Sequence, residues 1–256
     1  MPPSVVRRLD TAALPARGVA RSWALLRAFR VEQTDPATFY GALALDTVRQ
    51  VGRHTALQGA LVVDVGGGPG YFADGFRAVG AHYAGIDPDA GELSARGSAP
   101  EGFLRASGLA LPLVDGALDV CMSSNVLEHV PDPERMADEM LRVVRPGGLV
   151  WLSWTTWLSP WGGHETAPWH YLGGRRAADR YARRTGHRPK NDFGRSLFAL
   201  SAARMTRWAR RRAGAGGCEI VEIRARYHPA WAAWVARVPG LREVASWNVV
   251  IVVRRR

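Results

Sequence analysis

Leu61-Val-Val-Asp-Val-Gly-Gly-Gly-Pro-Gly-Tyr71 is the stretch on which the reading of this chain turns. Leu61, Val62, Val63 and Val65 read as a short parallel strand buried on both faces. Gly66, Gly67, Gly68 and Gly70 follow it, and spaced glycines let the backbone come close to a ligand where a Cβ would collide. Pro69 suits the first turn of a helix running from Tyr71 toward Val79, whose free N–H groups face the same space. A buried strand, a glycine loop and a helix in that order describe a cofactor loop.

A second element narrows the ligand. His82-Tyr-Ala-Gly-Ile-Asp87 is another short apolar strand, and its closing carboxylate follows Asp64 by 23 residues. An acid at the C-terminal end of the neighbouring strand is placed to accept both hydroxyls of a ribose, so the loop is expected to bind a nucleoside. Dinucleotide sites use G-x-G-x-x-G. Starting at Gly66, that frame meets Tyr71 where the third glycine belongs; starting at Gly68, it gives Ala73. The fuller pattern is Asp64-x-Gly66-x-Gly68-x-Gly70, with an acid opening the motif.

That pattern resembles the class I S-adenosylmethionine-dependent methyltransferases, in their small-molecule, type 11-like branch. Phe103 to Pro133, with Ser107-Gly108-Leu109 and Asn125-Val-Leu-Glu-His129 inside it, looks like the third and fourth strands of that branch, and Val143-Val-Arg-Pro-Gly-Gly-Leu-Val150 like the turn into the fifth. The resemblance covers residues 60 to 155. It implies a Rossmann-like α/β fold, a seven-stranded, mostly parallel sheet with helices on both faces and an antiparallel last strand. It also implies S-adenosylmethionine as cofactor and S-adenosylhomocysteine as product. By the same resemblance, Asp64 and the loop Gly66–Gly70 hold the methionine moiety and Asp87 the ribose. Pro88 and the Ser107-Gly108-Leu109 turn hold the adenine, and Asn125 the near side of the sulfonium. The family often carries Asp where this chain has Ser107, whose hydroxyl accepts a hydrogen bond without charge.

Other residues have plainer readings. Asp115 and Asp119 read as a surface turn, and Asp132 as the N-cap of a helix that begins at Pro133 and turns Met136, Met140 and Val143 to one face. Cys121 and Cys218 lack metal or redox spacing and are expected to be reduced and buried. The chain of 256 residues carries a net charge of +11, almost all of it arginine, since Lys190 is the sole lysine. Such a composition looks like that of a high-GC genome, an actinobacterial one, and its basic surplus suits an anionic substrate or membrane surface. No signal-peptide pattern or long apolar run appears, so the protein is expected in the cytoplasm, with peripheral contact to the inner face of the membrane left open.

Residues 1–58 read as an N-terminal helical extension or cap, with two helices between 18 and 57, and 59–256 as the methyltransferase domain. Phe39 and Tyr40 are placed either to close over the cofactor or to pack on the sheet. An insertion from about 157 to 192 leaves the C-terminal end of the fifth strand, the edge at which ligands bind an open parallel sheet. A helix is expected over 193–213, then two closing strands. The insertion carries aromatic residues around His164, Glu165 and His170. Moving a methyl group to a hydroxyl needs alignment and removal of a proton, which a histidine near its ordinary pKa does well. His164 is the first candidate for catalysis and His129 the second. His164, Glu165 and His170 also offer a divalent-metal set, yet they are few and loop-borne, and no metal requirement is expected.

The acceptor is read only by class: a small molecule, a glycan or a lipid-linked sugar, methylated on a hydroxyl oxygen. Trp231 and Trp234 suit a lid or a homodimer contact. Two alternatives stay beside this reading. One is an NAD(P)-dependent oxidoreductase, the other a nucleic-acid methyltransferase. The first lacks a Tyr-x-x-x-Lys pair; the second lacks an Asn/Asp-Pro-Pro-Tyr/Phe segment after the fourth strand, and no nucleic-acid partner is expected.

Overall fold

The computed structural model describes residues 14–32 and 34–256; the first thirteen residues of the expected extension lie outside them. In chain order the elements are α1 (Gly18–Phe29), α2 (Pro36–Val51), β1 (Leu61–Val65), α3 (Ala73–Ala78), β2 (His82–Asp87), α4 (Ala90–Ser94), β3 (Phe103–Arg105) and β4 (Leu118–Ser124). They continue with α5 (Pro133–Val143), β5 (Val144–Thr155), α6 (Gly174–Thr185), α7 (Ala202–Gly214), β6 (Cys218–Ala225), α8 (Leu241–Val244) and β7 (Asn248–Arg255). The strands form one seven-stranded sheet in the order β3-β2-β1-β4-β5-β7-β6. β7 runs antiparallel to both of its neighbours, and the other strands are parallel to one another. This is the Rossmann-like class I methyltransferase sheet that the glycine motif implies.

Side chains alternate across the strands, so each one feeds two cores. Val63, Val65, Cys121, Val150, Leu152 and Trp154 face α5 and α7, where Met136, Met140, Met205 and Trp208 fill the layer. Val62, Val120, Met122, Leu149 and Trp151 face the opposite way, onto Leu25, Phe39, Leu43 and Phe76 of the first three helices and Phe72 just before α3. Asp132 caps α5 through the backbone N–H of Arg135 at 3.2 Å, and Pro133 opens the helix, as its spacing suggests. Both cysteines are free and buried.

Two expectations are corrected. Asp119 lies inside β4 rather than in a surface turn. Its carboxylate accepts from Leu61 N at 2.7 Å and from Arg145 Nε at 2.7 Å, tying the start of β1 to β5. The helix expected over 193–213 begins only at Ala202, where Ser201 caps it through Arg204 N. Before it, Gly194 takes a φ of +84° and the Asp192 carbonyl accepts from Arg195, Ser196 and Leu197, a turn no helix can pass through.

The first two helices are bolted to the far end of the chain. Arg21, buried in α1, forms a two-pronged pair with Asp46 of α2, both contacts at 2.6 Å, and its Nη2 also donates to the Arg226 carbonyl at 2.8 Å. Gln50 supplies a further donor to Asp46 at 2.6 Å. No helix among the described residues is long and apolar enough to cross a membrane.

Candidate active site

The sheet reverses its winding between β1 and β4, and a cavity of about 1600 Å³ opens there, beyond the C-terminal ends of the strands. Such a crevice is where ligands bind open α/β sheets. Asp64, Gly66, Gly67, Gly68, Asp87, Pro88, Ser107, Gly108, Leu109, Asn125, His129 and His164 all line it. Gly70 stands behind the wall: a Cβ on it would sit 2.7 Å from Pro100 Cγ, so its role is close packing of the loop.

The loop is held from below. Gly66 and Gly67 donate their N–H groups to the Ile86 carbonyl at 2.7 and 3.3 Å, and Gly68 N–H reaches Asp87 Oδ2 at 3.1 Å. Asp87 Oδ1 accepts from Asp89 N at 2.9 Å, so both oxygens of this carboxylate are oriented before a ligand arrives. Burial raises the pKa of Asp87. Asp64 is buried more deeply. Its Oδ2 accepts from the Tyr83 hydroxyl at 2.6 Å, while Oδ1 has no partner. Burial, with the charge of Asp87 nearby, lifts the Asp64 carboxyl to about 7. An unpartnered buried carboxylate oxygen and a glycine cradle fit the cationic amino acid end of S-adenosylmethionine. A Cβ on Gly68, at the cradle's edge, would meet no protein atom within 4 Å.

Along the floor, Ser107 Oγ accepts from Leu109 N at 3.2 Å, shaping the turn meant for adenine. Asn125 takes a φ of 58° in the left-handed region, which asparagine tolerates. Its Oδ1 accepts from Asn248 Nδ2 at 2.7 Å and from Arg226 Nη1 at 3.4 Å. Arg226 is fully buried. It donates to Ser124 Oγ, Ser153 Oγ and Thr47 Oγ1 at 2.7–2.9 Å and lies over the Trp151 ring. Neither Arg226 nor Asn248 was singled out from the sequence, and in a chain so rich in arginine nothing marks this one. Tyr83, which seats Asp64, was missed too, although its alternation with Ala84 in β2 was the available signal.

The other half of the cavity belongs to the N-terminal helices and the insertion. Trp161 stacks on Phe29 and on Trp247, each with ring centres 5.8 Å apart, and Tyr40 stacks on Tyr71 at 4.9 Å. The Tyr40 hydroxyl donates to Glu32 at 2.9 Å, and burial raises the Glu32 carboxyl. Both Phe39 and Tyr40 line the cavity, and Phe39 also packs in the core beneath.

His164, Glu165 and His170 do not meet as a ligand set. His170 is buried with Nε2 toward the Ser159 carbonyl at 3.2 Å, and Glu165 takes both oxygens to Asn191 Nδ2 at 3.0 and 3.1 Å. His164 instead faces His129, with ring centres 5.1 Å apart. His129 Nδ1 lies 2.6 Å from the Ser196 carbonyl, which only accepts, so that nitrogen donates its N–H there and Nε2 is left on the far side of the ring. Burial, with His129 alongside, pushes the His164 imidazole down to about 4. It is therefore neutral at neutral pH, and the expectation of a histidine near its ordinary pKa is not met. Behind the pair stands Glu128, also unremarked as a site residue in the sequence.

A methyltransferase-domain family model matches residues 63–152, the stretch that contains this floor. The chain is 55% identical over 246 residues to a methyltransferase of Mycolicibacterium gilvum, covering 92% of this chain and 94% of the relative. It is 52% identical over 248 residues to one from Mycobacterium marinum, covering 93% and 95%. Among solved structures it is similar to an S-adenosylmethionine-dependent methyltransferase of Mesorhizobium loti, with a TM-score of 0.52 and 23% identity over 84% of this chain and 98% of that one. A methyltransferase of Thermotoga maritima gives a TM-score of 0.52 and 19% identity over 91% and 100%. At these identities the two structures speak for the fold alone.

Proposed function

This chain belongs to the class I S-adenosylmethionine-dependent methyltransferases, and on that premise we propose that it methylates a hydroxyl oxygen of a small-molecule, sugar or lipid-linked acceptor. When bound, S-adenosylmethionine supplies an electrophilic methyl group on a sulfonium. Asp64 and Gly66–Gly68 hold its amino acid end, Asp87 the ribose hydroxyls, and Pro88, Ser107, Gly108 and Leu109 the adenine. Asn125, fixed by Asn248 and Arg226, borders the sulfonium.

The observation that carries the reading is the division of one cavity into two chemistries. Carboxylates and a glycine loop line the sheet side, while two imidazoles stand among aromatic walls on the other. His164 and His129 are the side chains proposed to act on the proton of the acceptor hydroxyl. The volume supports two ligands, since pockets for a single small molecule run to about 300–1000 Å³. Trp231 and Trp234, 72% and 52% exposed, suit a lipid surface or a second copy of the chain, and the surplus of arginine favours an anionic surface. The working place proposed is the cytoplasm, with lipid-linked acceptors met at the inner face of the membrane.

The test is transfer of a radiolabelled methyl group from S-adenosylmethionine into fractionated extracts of a related actinobacterium. Label in the lipid or small-molecule fraction, stable to mild acid as an ether is, supports the reading; label confined to protein or nucleic acid sinks it. His164→Ala should lower kcat by roughly a hundredfold while leaving S-adenosylmethionine affinity nearly unchanged.

A further inference from the structure

Glu128, His129 and His164 each bring one donor atom into a group whose members all lie within 4.8 Å of one another. Two of these side chains carry a stranded polar atom. Glu128 is buried, its Oε1 is held by Thr155 N–H at 2.8 Å, and its Oε2 has no partner; His164 Nε2 is buried and has none either. A buried acceptor left without a donor costs on the order of 1–3 kcal/mol, more for a charged one, so two together at one point ask for a missing electron-pair acceptor. The third, His129, has its far nitrogen fixed on the Ser196 carbonyl. Metal-bound histidines commonly have their other ring nitrogen fixed in this way, which turns Nε2 outward as a ligand. His164 is held in place by a left-handed backbone, φ 47°, inside a turn closed by its own N–H on the Trp161 carbonyl.

We propose that Glu128, His129 and His164 form a binding site for a divalent transition-metal ion. Two imidazoles and one carboxylate suit zinc, iron(II), cobalt(II) or manganese(II) better than magnesium or calcium, which prefer all-oxygen shells. Ligand atoms at about 2.0–2.2 Å from one ion require the three side chains to converge on a common point. The two stranded atoms are the ones free to do so. Three protein ligands leave open positions, and His129 and His164 both line the cavity, so the open positions face the acceptor.

This inference rests on the methyl-transfer reading and deepens it: the imidazoles act on the hydroxyl through an ion. The acceptor oxygen binds the metal, its O–H bond breaks and the proton passes to solvent water. The oxygen then forms the O–C bond as the C–S bond breaks, leaving its electron pair on sulfur as neutral S-adenosylhomocysteine. The acceptor class is thereby narrowed to alcohols or phenols whose hydroxyl reaches the ion.

The experiment uses the full chain, stripped by chelator, dialysed, and titrated with zinc by calorimetry and with cobalt(II) by visible absorption. One equivalent should bind with micromolar or tighter affinity, with cobalt bands of a nitrogen- and oxygen-ligated ion. His164→Ala and Glu128→Gln, both checked for folding by circular dichroism, should each weaken binding at least about tenfold, and His187→Ala, on the surface, should not. Methyl transfer should fall in the stripped protein and return with the metal. Failure to bind either ion, or binding that survives both ligand variants, overturns the site. Full transfer by stripped protein overturns its catalytic use. S-adenosylmethionine titrated into the same stripped protein separates the readings: cofactor binding without metal binding rejects only the metal, and the reverse rejects the cofactor assignment.

Discussion

Asp64 is the residue whose surroundings have the clearest consequence. Its carboxyl is buried, leans on the Tyr83 hydroxyl and is lifted to about 7, so in the free protein it holds a proton on the acid side of neutrality. A cationic amino group beside it favours the ionised form. Binding below that pKa must therefore expel the proton, at a cost of about 1.36 kcal/mol for each pH unit, while above it no such cost remains. The affinity for S-adenosylmethionine should rise up to tenfold per unit as pH climbs toward 7 and then level off. Calorimetry in buffers of different ionisation enthalpy should register proton release only on the acid side. Asp64→Asn should flatten the curve, and an affinity independent of pH in the natural protein would remove Asp64 from the amino acid end of the ligand.

Among elements, the glycine loop was legible because its chemistry is local: a run of apolar residues, spaced glycines and two carboxylates lie within one strand–turn–helix–strand unit. The structure separates the glycines by task. A Cβ on Gly66 would lie 2.3 Å from Val126 Cγ2, with φ at +83°, whereas one on Gly68 would touch no protein atom. Gly66→Ala should cost about 2–5 kcal/mol of stability from left-handed strain and overpacking together, seen as a lower melting temperature. Gly68→Ala, carrying only its backbone strain, should melt closer to the natural protein yet lose cofactor affinity, because the new methyl group stands in the cavity. Equal melting temperatures for the two would refute the division. The half proposed to act on the acceptor was legible only in part. Residue type alone marks His164 and His129 as candidates, but nearness in sequence groups His164 with Glu165 and His170, whereas in the fold it lies beside His129 and Glu128. Its actual companions come from the segment after β4, and only the tertiary fold brings them together. Arg226 and Asn248 were invisible for the same reason, since a buried arginine has no local signature.

At the scale of the molecule, the N-terminal helices and the connection from β6 to β7 act as one roof. Arg21 joins buried Asp46 to the carbonyl of buried Arg226, and more loosely to that of the half-buried His228. Removing one partner of a buried pair leaves the other charge uncompensated, at about 3–5 kcal/mol. Arg21→Ala should lower the melting temperature by several degrees and weaken cofactor binding with it, since Thr47 and Asn125 are both tied to the same Arg226. A variant that melts early but binds S-adenosylmethionine as before would show that the roof does not govern the floor.

The antiparallel β7 carries a further consequence, one of timing. Asn248, at its first position, donates to Asn125, and Arg226 reaches back 179 residues to Thr47. Pairings this distant in the chain close late, because loop-closure entropy opposes them until the intervening elements have settled. During synthesis the glycine loop and both carboxylates leave the ribosome early, but the groups that lock Asn125 emerge 101 and 123 residues after it. A nascent chain thus carries the motif of a cofactor site without a finished site, and competence to bind should arrive in a single late step, when the final strand slots between its two neighbours.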